Sequence, residues 1–308
     1  MKKTTKRYRI RNWPHYITAL INRGSLTLWL DTHSINHWLN AQPPAGRGRP
    51  PLYADAAITA ALLLREVYHL PLRQTQGFIL SLFNLLHIDL PVPHYSTLCR
   101  RARSLRIKLL PLSHQQPLHL LIDSSGLKVY GEGEWYVRLR KQYKRRTWRK
   151  AHIAMDWESE LIHSAIGSHK DLLDRFAVAD LLDQVDSPLA AVYADGAYDY
   201  KVCYKAIYEK GGEAVIPPKQ RGVLHKQEWM ISRNQNIKQM RKLGLVKWKR
   251  KSGYHKRSLV ETAFYRLKKI FSDRLRSKRV DAQDSEMMMR CAALNRMTSL
   301  GMPDCYAV

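Results

Sequence analysis

The chain has 308 residues, 45% of them hydrophobic, which is enough to bury a sizeable core in two domains and excludes a disordered basic tail. Its 52 lysines and arginines against 26 aspartates and glutamates give a formal charge of +26, which predicts a polyanionic partner such as nucleic acid. No apolar run suits a membrane span or a signal peptide, and the four cysteines form no C-x-x-C pair, so we expect a reduced, cytoplasmic, nucleoid-associated protein without a membrane partner.

Residues 1–112 are predicted to be an all-helical region. Apolar periodicity indicates helices over 54–68 and 71–86, and Ser96 is placed to cap a third helix over 97–106. The third helix carries the arginines proposed to contact DNA, Arg100, Arg101 and Arg103. Two helices, a short break and an arginine-rich helix favour a helix-turn-helix-like, DNA-end-binding region. A helical bundle with a solvated basic face explains the pattern equally well.

The pattern changes to strands from about residue 113. Strands are predicted over 119–123, 152–157, 161–166, 190–195 and 213–216, and helices over 172–185 and 200–209, with a further helix around Glu261. This order predicts an α/β domain over 113–308, with a mixed central sheet flanked by helices.

Three acids stand out in this domain. Asp123 and Asp195 each end an apolar run, where a side chain emerges at the edge of a sheet. Glu261 lies on a helix, and at about 100° per residue Tyr254, Arg257 and Lys268 fall within about 40° of it. Each acid alone is more typical of a turn or a surface ion pair. Together, converging carboxylates suit hard divalent cations and the flanking cations suit phosphate, which predicts metal-assisted phosphodiester chemistry.

Two strongly basic insertions interrupt the strand and helix pattern, one near 128–150 and the other near 219–253. Aromatic residues are interleaved with the cations, and this combination suits backbone tracking and base stacking. A solvated basic surface is the alternative interpretation. The residues expected to contact DNA here are Lys144, Arg145, Arg146, Lys249, Arg250 and Lys251.

Three motifs resemble DDE-type insertion-sequence transposases of the IS-five family, in the branch that flanks kanamycin-resistance transposons. They are Ile122-Asp123-Ser124-Ser125-Gly126 with the residues that follow it, Ala194-Asp195-Gly196-Ala197-Tyr198-Asp199, and Tyr254-x2-Arg257-x3-Glu261-x6-Lys268. The resemblance runs nearly from end to end. One departure is Ser124-Ser125, where the family pattern leads us to expect Gly-Thr or similar small residues.

The resemblance implies a ribonuclease-H-like catalytic domain in which Asp123, Asp195 and Glu261 are the metal-binding acidic triad. It also implies that Tyr254, Arg257 and Lys268 are accessory, phosphate-binding residues. The expected cofactor is a pair of Mg²⁺ ions, with Mn²⁺ as a substitute. The expected partner is double-stranded DNA, both terminal inverted repeats and target, bound by a homodimer or higher assembly. The alternatives are a ribonuclease-H-like nuclease without strand transfer and a non-catalytic DNA-binding repressor.

Overall fold

The computed structural model describes residues 8–40, 50–107, 109, 116–129, 148–219 and 222–308. They form two compact units: the first takes residues up to Leu105 together with Ala293–Val308, and the second takes Arg106–Ala292. The C-terminal residues thus pack with the first unit, whereas the sequence predicted a single domain boundary near residue 112. The functional roles assigned to the two predicted domains stay predictions.

The first unit is built mainly from helices. They are α1 (Trp13–Asn22), α2 (Leu26–Trp29), α3 (Thr32–Asn36), α4 (Asp55–Val67), α5 (Leu72–Leu85) and α6 (Tyr95–Arg101). Helix α4 is its centre, because eight of its thirteen residues are buried. Two short strands, β1 (Tyr8–Ile10) and β8 (Cys305–Ala307), pair antiparallel.

The predicted helices over 54–68 and 71–86 are confirmed as α4 and α5. The predicted extent of the third helix is wrong, because α6 ends at Arg101. After Ala102, the backbone nitrogens of Arg103 and Ser104 donate to carbonyls three residues back, those of Arg100 and Arg101. The turn that they form is followed by Leu105, which is buried. The expectation of an all-helical region is also wrong at its start, where β1 pairs with β8.

The second unit contains a six-stranded mixed sheet. Its strands are β2 (Leu118–Val129), β3 (Trp148–Asp156), β4 (Ile162–His169), β5 (Leu189–Tyr193), β6 (Glu213–Val215) and β7 (Arg274–Leu275). The order is β4-β3-β2-β5-β6, and β7 pairs with the end of β2. The β2–β3 and β3–β4 pairs are antiparallel, and β5 runs parallel to both β2 and β6. The predicted mixed sheet and its hairpin are confirmed.

Among the described residues, five helices accompany the sheet, and the last has residues in both units. They are α7 (Ala177–Asp183), α8 (Lys201–Glu209), α9 (Ile231–Lys251), α10 (Ser258–Phe271) and α11 (Val280–Ser299). Helix α7 is shorter than predicted, since a separate 3-10 turn, Asp174–Phe176, precedes it. Helix α9 is broken at Gly244, whose φ of 74° suits glycine.

The two faces of β2 are covered by different helices. Leu118, Leu120 and Ile122 belong to a buried cluster that includes residues of α7 and α8. Helix α10 packs on β2 and buries an apolar face that includes Phe264 and Leu267. Among the described ranges, no helix combines the length and apolar character of a bilayer span.

Candidate active site

Asp123 lies midway along β2, just beyond the point where the neighbouring strand β5 ends. Its Oδ1 accepts a hydrogen bond from the Ser124 backbone nitrogen at 2.8 Å, and its Oδ2 accepts one from Nη1 of Arg257 at 3.2 Å. Its side chain is 20% exposed. The carboxylate is therefore largely sheltered but keeps one face open to solvent.

Asp195 follows β5 at the same level of the sheet. In the parallel pair of β2 and β5, Leu121 lies opposite Tyr193. Asp123 and Asp195 each come two residues after this pair, Asp123 on β2 and Asp195 just past the end of β5. The charge of Asp195 raises the pKa of Asp123, which agrees with two acids close to each other. Asp195 also caps the 3-10 turn that follows it, because Oδ1 accepts a hydrogen bond from the Ala197 nitrogen at 2.8 Å.

Glu261 lies in the first turn of α10 and is joined to Asp123 through Arg257. One guanidinium nitrogen of Arg257 contacts Asp123, and the other donates a hydrogen bond to Oε1 of Glu261. Glu261 remains 56% exposed, whereas Arg257 is 18% exposed. The guanidinium is thus the cation that holds the first and third acids together.

The charges of the other two acids affect the pKa of Asp123. Burial is the largest influence on this carboxyl and raises its pKa; the nearby charges of Asp195 and Glu261 raise it further. The Ser124 amide and the Arg257 guanidinium oppose the rise, but the net pKa of Asp123 stays above its ordinary value. A further positive charge next to Asp123 would lower this pKa again.

The donor set has the chemistry that a divalent cation needs. Among the described residues, no three His, Cys, Asp or Glu side chains are already arranged around one metal position. Carboxylate oxygens are nevertheless the preferred ligands of Mg²⁺, and the raised pKa of Asp123 marks a place where added positive charge would be stabilising. Arg257 would have to release Glu261 for that acid to join Asp123 and Asp195 as a ligand.

Arg257 is positioned by aromatic packing in the segment before α10. Gly253 adopts a φ of 71°, and a side chain there would meet the ring of Trp157. Nζ of Lys256 lies 3.7 Å from the centroid of that ring, which itself stacks on His119 at 4.1 Å. These contacts fix the turn on the side of the sheet that carries Asp123.

Tyr254 and Lys268 lie in the second unit, close to this group. Tyr254 is 8% exposed, packs against Trp248 with ring centroids 5.4 Å apart, and has a pKa raised by burial and by nearby Asp195 and Asp123, against the lowering effect of Arg257. Nζ of Lys268 donates to Oγ of Ser125 at 2.6 Å, two residues beyond Asp123 on the same strand. Lys268 therefore points at the same sheet face as the first acid.

The residues proposed as DNA contacts differ in their surroundings. Arg100 is exposed, whereas Arg101 is engaged within the first unit by the Tyr53 carbonyl at 2.9 Å and by Asp55. Arg250 and Lys251 are exposed near the end of α9, and Nζ of Lys249 lies 5.4 Å from the Tyr254 ring centroid. Arg103 is exposed in the turn after α6. Residues Lys144, Arg145 and Arg146 lie outside the described residues.

A buried ion pair beneath the Asp195 turn was missed by sequence reasoning. Asp199 and Arg233 are 0% and 9% exposed in their side chains. The Asp199 carboxylate accepts four hydrogen bonds, from Arg233 Nε (2.7 Å), Arg233 Nη2 (3.2 Å), the Tyr204 hydroxyl (2.9 Å) and the Lys219 nitrogen (2.9 Å). Arg233 also donates to the Val223 carbonyl at 2.8 Å. The pair ties the Asp195 turn to the chain before α9 and to α9 itself.

The only signal for this pair in the sequence is the spacing of two aspartates four residues apart. Asp195 ends an apolar run, whereas Asp199 appears only as the last residue of the motif that begins at Ala194. Burial alone would raise the pKa of Asp199, but the hydrogen bonds from Arg233, the Lys219 amide and Tyr204 outweigh it and lower the pKa. Arg233 lies 34 residues away, so no local sequence pattern predicts the contact.

The fold and the acids at its edge define a class of protein before any comparison. A mixed sheet flanked by helices, with two adjacent strands each presenting a carboxylate, fits a ribonuclease-H-like domain of DNA-processing enzymes. Two models of the transposase DDE domain match the chain, one over residues 21–132 and one over residues 114–296. Since the second match covers more than half of the sequence, the chain belongs to the DDE transposase family. It is a transposase, an enzyme of DNA cleavage and transposition, from a family that typically uses a divalent metal.

Proposed function

We propose that the chain is the transposase of an insertion sequence in the IS-five family, that it binds the terminal inverted repeats of this element, and that it catalyses metal-dependent cleavage and strand transfer. One observation carries the proposal most directly. The β2–β5 register sets Asp123 beside Asp195, and Arg257 joins Asp123 to Glu261. Acids from three separate parts of the chain therefore converge at one edge of the sheet.

In this proposal, Asp123, Asp195 and Glu261 hold two Mg²⁺ ions, with Mn²⁺ as a substitute. When bound, the metal supplies activation of the attacking hydroxyl and stabilisation of the leaving 3′-oxygen. The acids contribute ionised oxygens, and the sheltered position of Asp123 excludes part of the water that would screen its charge. The backbone nitrogens of Ser124 and Ala197 orient the carboxylates of Asp123 and Asp195.

Arg257 and Lys268 act on the phosphate. Arg257 stabilises the acids while DNA is absent, and its guanidinium would be available to the scissile phosphate if Glu261 instead held metal. Lys268, held near Asp123 through Ser125, neutralises charge on the same phosphate. Tyr254 is buried, and its hydroxyl helps to orient Arg257. The charge of Arg257 lowers the pKa of Tyr254, which supports this contact.

The first unit recognises the ends of the element through the α6 region, and the basic residues of α9 hold the DNA backbone. The charge of +26 supports a polyanionic partner. We propose that the protein works as a homodimer or higher assembly on DNA, since two ends must be cut and joined. We also propose that it acts in the cytoplasm, at the nucleoid.

The test uses the purified full-length chain and linear DNA that carries the terminal inverted repeats of its element. We expect cleavage at the repeat and joining to a second duplex in Mg²⁺ or Mn²⁺, and neither in EDTA. Cleavage without joined products would support a nuclease without strand transfer. Repeat-specific binding without cleavage in either metal would support a DNA-binding repressor. Both outcomes would overturn the proposal.

A further inference from the structure

A cluster of two cations around one aromatic ring lies next to the Asp195 turn. The guanidinium carbon of Arg175 is 4.2 Å from the Tyr200 ring centroid, and Nζ of Lys219 is 4.4 Å from it. Tyr200 is 37% exposed and Lys219 is exposed. Like charges so close to one ring are tolerated because the ring face attracts cations. The ring does not neutralise them.

The acids nearest to this cluster in the sequence are already engaged. Asp174 pairs with Lys150 at 2.9 Å, and Asp199 is buried with Arg233. Within the described part of the chain, neither Arg175 nor Lys219 has a carboxylate partner within 4.0 Å. Among the described residues these two positive charges have no paired carboxylate, and an external anion would compensate them.

The cluster is held in place by buried structure. The Lys219 nitrogen donates to Asp199 at 2.9 Å, so the buried ion pair fixes the backbone from which the Lys219 side chain extends. Tyr200 directly follows Asp199, and its nitrogen donates to the Tyr198 carbonyl at 2.7 Å. Arg175 is tied to α8, because Sγ of Cys203 contacts its carbonyl at 3.6 Å. A site built in this way needs little reorganisation to bind.

The same turn links the cluster to the candidate active site. Asp195 and Tyr200 stand five residues apart in a compact turn, closed by the hydrogen bond from the Tyr198 nitrogen to the Asp195 carbonyl at 3.0 Å. Lys268 reaches β2 from α10, at a point beyond Asp123. Besides Arg257, which contacts Asp123 and Glu261, Lys268 therefore lies on the β2 side of the acids. Arg175 and Lys219 lie at the Tyr200 end of the Asp195 turn.

We propose that Arg175, Tyr200 and Lys219 form a subsite for one phosphate of the DNA strand, on the Asp195 side of the cleaved bond. This inference rests on the proposed function. The planar guanidinium suits a phosphate's oxygens, the lysine adds a point charge, and the open surface lets a polymer backbone pass. The phosphate held here fixes the strand on one side of the acids, while Lys268 acts at the cleaved phosphate itself.

The test is a scan of single neutral methylphosphonate linkages along each strand of a terminal-repeat duplex. Binding to the full-length chain is measured in Ca²⁺, so that the result does not depend on cleavage. The subsite variant is Arg175→Gln/Lys219→Gln. The control is Lys205→Gln/Lys210→Gln, which changes the net charge equally but removes cations paired with Glu209 and Asp183.

Wild type and control should bind more weakly when the same phosphates are neutralised. At one or two positions beside the cleaved bond, neutralising the phosphate should no longer weaken binding by the subsite variant. The slope of log K against log salt for this variant should fall by about 0.9 for each phosphate that it no longer binds. An unchanged interference pattern at every position would overturn the subsite. If circular dichroism shows the double variant unfolded, Lys219→Gln alone is measured by the same criterion. Failure of the proposed function would appear separately, as intact wild-type binding without cleavage in Mg²⁺.

Discussion

Arg257 donates a hydrogen bond to Asp123 at 3.2 Å from a helical turn 134 residues further along the chain. The same guanidinium also contacts Glu261, so one cation occupies the position between two acids of the candidate site. Burial and the neighbouring acids still raise the pKa of Asp123 despite that contact. Added positive charge beside Asp123 would therefore favour its ionised form.

Neutral replacement of any one acid should abolish chemistry while sparing DNA binding. For Asp123→Asn, Asp195→Asn and Glu261→Gln we expect cleavage to fall by at least about 10³-fold, comparable with removal of other strong electrostatic contributions to catalysis. Binding to terminal-repeat DNA should change by less than about tenfold, which is about 1.4 kcal/mol. The measurements are single-turnover cleavage and a gel shift. A variant that cleaves at the wild-type rate would remove its residue from the assignment.

Asp123→Asn should stabilise the metal-free protein at neutral pH. Because the pKa of Asp123 is raised in the folded protein, folding favours the protonated carboxyl. The stability that this protonation contributes is complete below the unfolded pKa and disappears as the pH rises through the folded pKa. At neutral pH the ionised Asp123 is therefore destabilising. The melting temperature of the variant in EDTA should exceed that of wild type. In saturating Mg²⁺ the wild type should gain more than the variant, because only its native site is complete. Asp171→Asn, at an exposed acid, serves as the control.

Lys268→Ala should slow cleavage more than it weakens binding. Its Nζ is fixed 2.6 Å from Oγ of Ser125, beside Asp123, so its charge acts locally. We expect the single-turnover rate to fall by about 10²–10³-fold, the range found when one electrostatic interaction with a transition state is removed. Lys269→Ala is the matched control, since the neighbouring side chain is exposed. Equal rates for the two variants would mean that Lys268 only packs against β2.

Arg233→Met should destabilise the second unit strongly. The change leaves Asp199 buried without its charge partner, and breaking a buried pair on one side costs about 3–5 kcal/mol. Arg241→Met, which removes a single hydrogen bond to the Gly222 carbonyl, should cost only about 0.5–1.5 kcal/mol. Denaturant titration measures both. Because hydrogen bonds lower the pKa of Asp199, the wild-type advantage should be present above the unfolded pKa and disappear as the pH falls through the folded pKa.

Arg100 and Arg101 should separate into a DNA contact and a structural residue. Arg100 is exposed, so Arg100→Ala should lower affinity for terminal-repeat DNA without changing stability. Arg101 bonds the Tyr53 carbonyl and pairs with Asp55, so Arg101→Ala should lower stability by about 1–3 kcal/mol. Gel shifts against repeat and scrambled duplexes and thermal melts distinguish the two. If the Arg100 variant keeps its full preference for the repeat, α6 has a packing role and Arg100 does not contribute to recognition of the repeat.

Local patterns predicted most of the elements in the second unit. The alternation and apolar runs placed β5 and α8 within two residues at each end, because burial of an apolar face has a period that can be read along the chain. They placed the start of β2 within one residue, but the strand continues to Val129, six residues beyond its predicted end. Element ends were less accurate: α6 stops at Arg101 and α7 begins at Ala177. In both places the chain forms a turn held by backbone hydrogen bonds where the α-helix could have continued. The types of side chain present do not indicate which of the two forms.

By itself, the sequence determined which acids to consider, the placement of Glu261 and Lys268 on one helix, and the sign of the partner's charge. The expectation that Tyr254 and Arg257 share that α-helix is wrong, because they lie in a separate 3-10 turn, Tyr254–Arg257, and α10 begins only at Ser258. The tertiary structure decided what these residues touch. It placed Asp195 beside Asp123 through strand register, put Arg257 between two acids, and buried Asp199 with Arg233 beneath the turn. Periodicity and motif spacing are properties of neighbouring residues. Contacts across 34 or 134 residues depend on how sheet and helices pack, and they become visible only once the chain is folded.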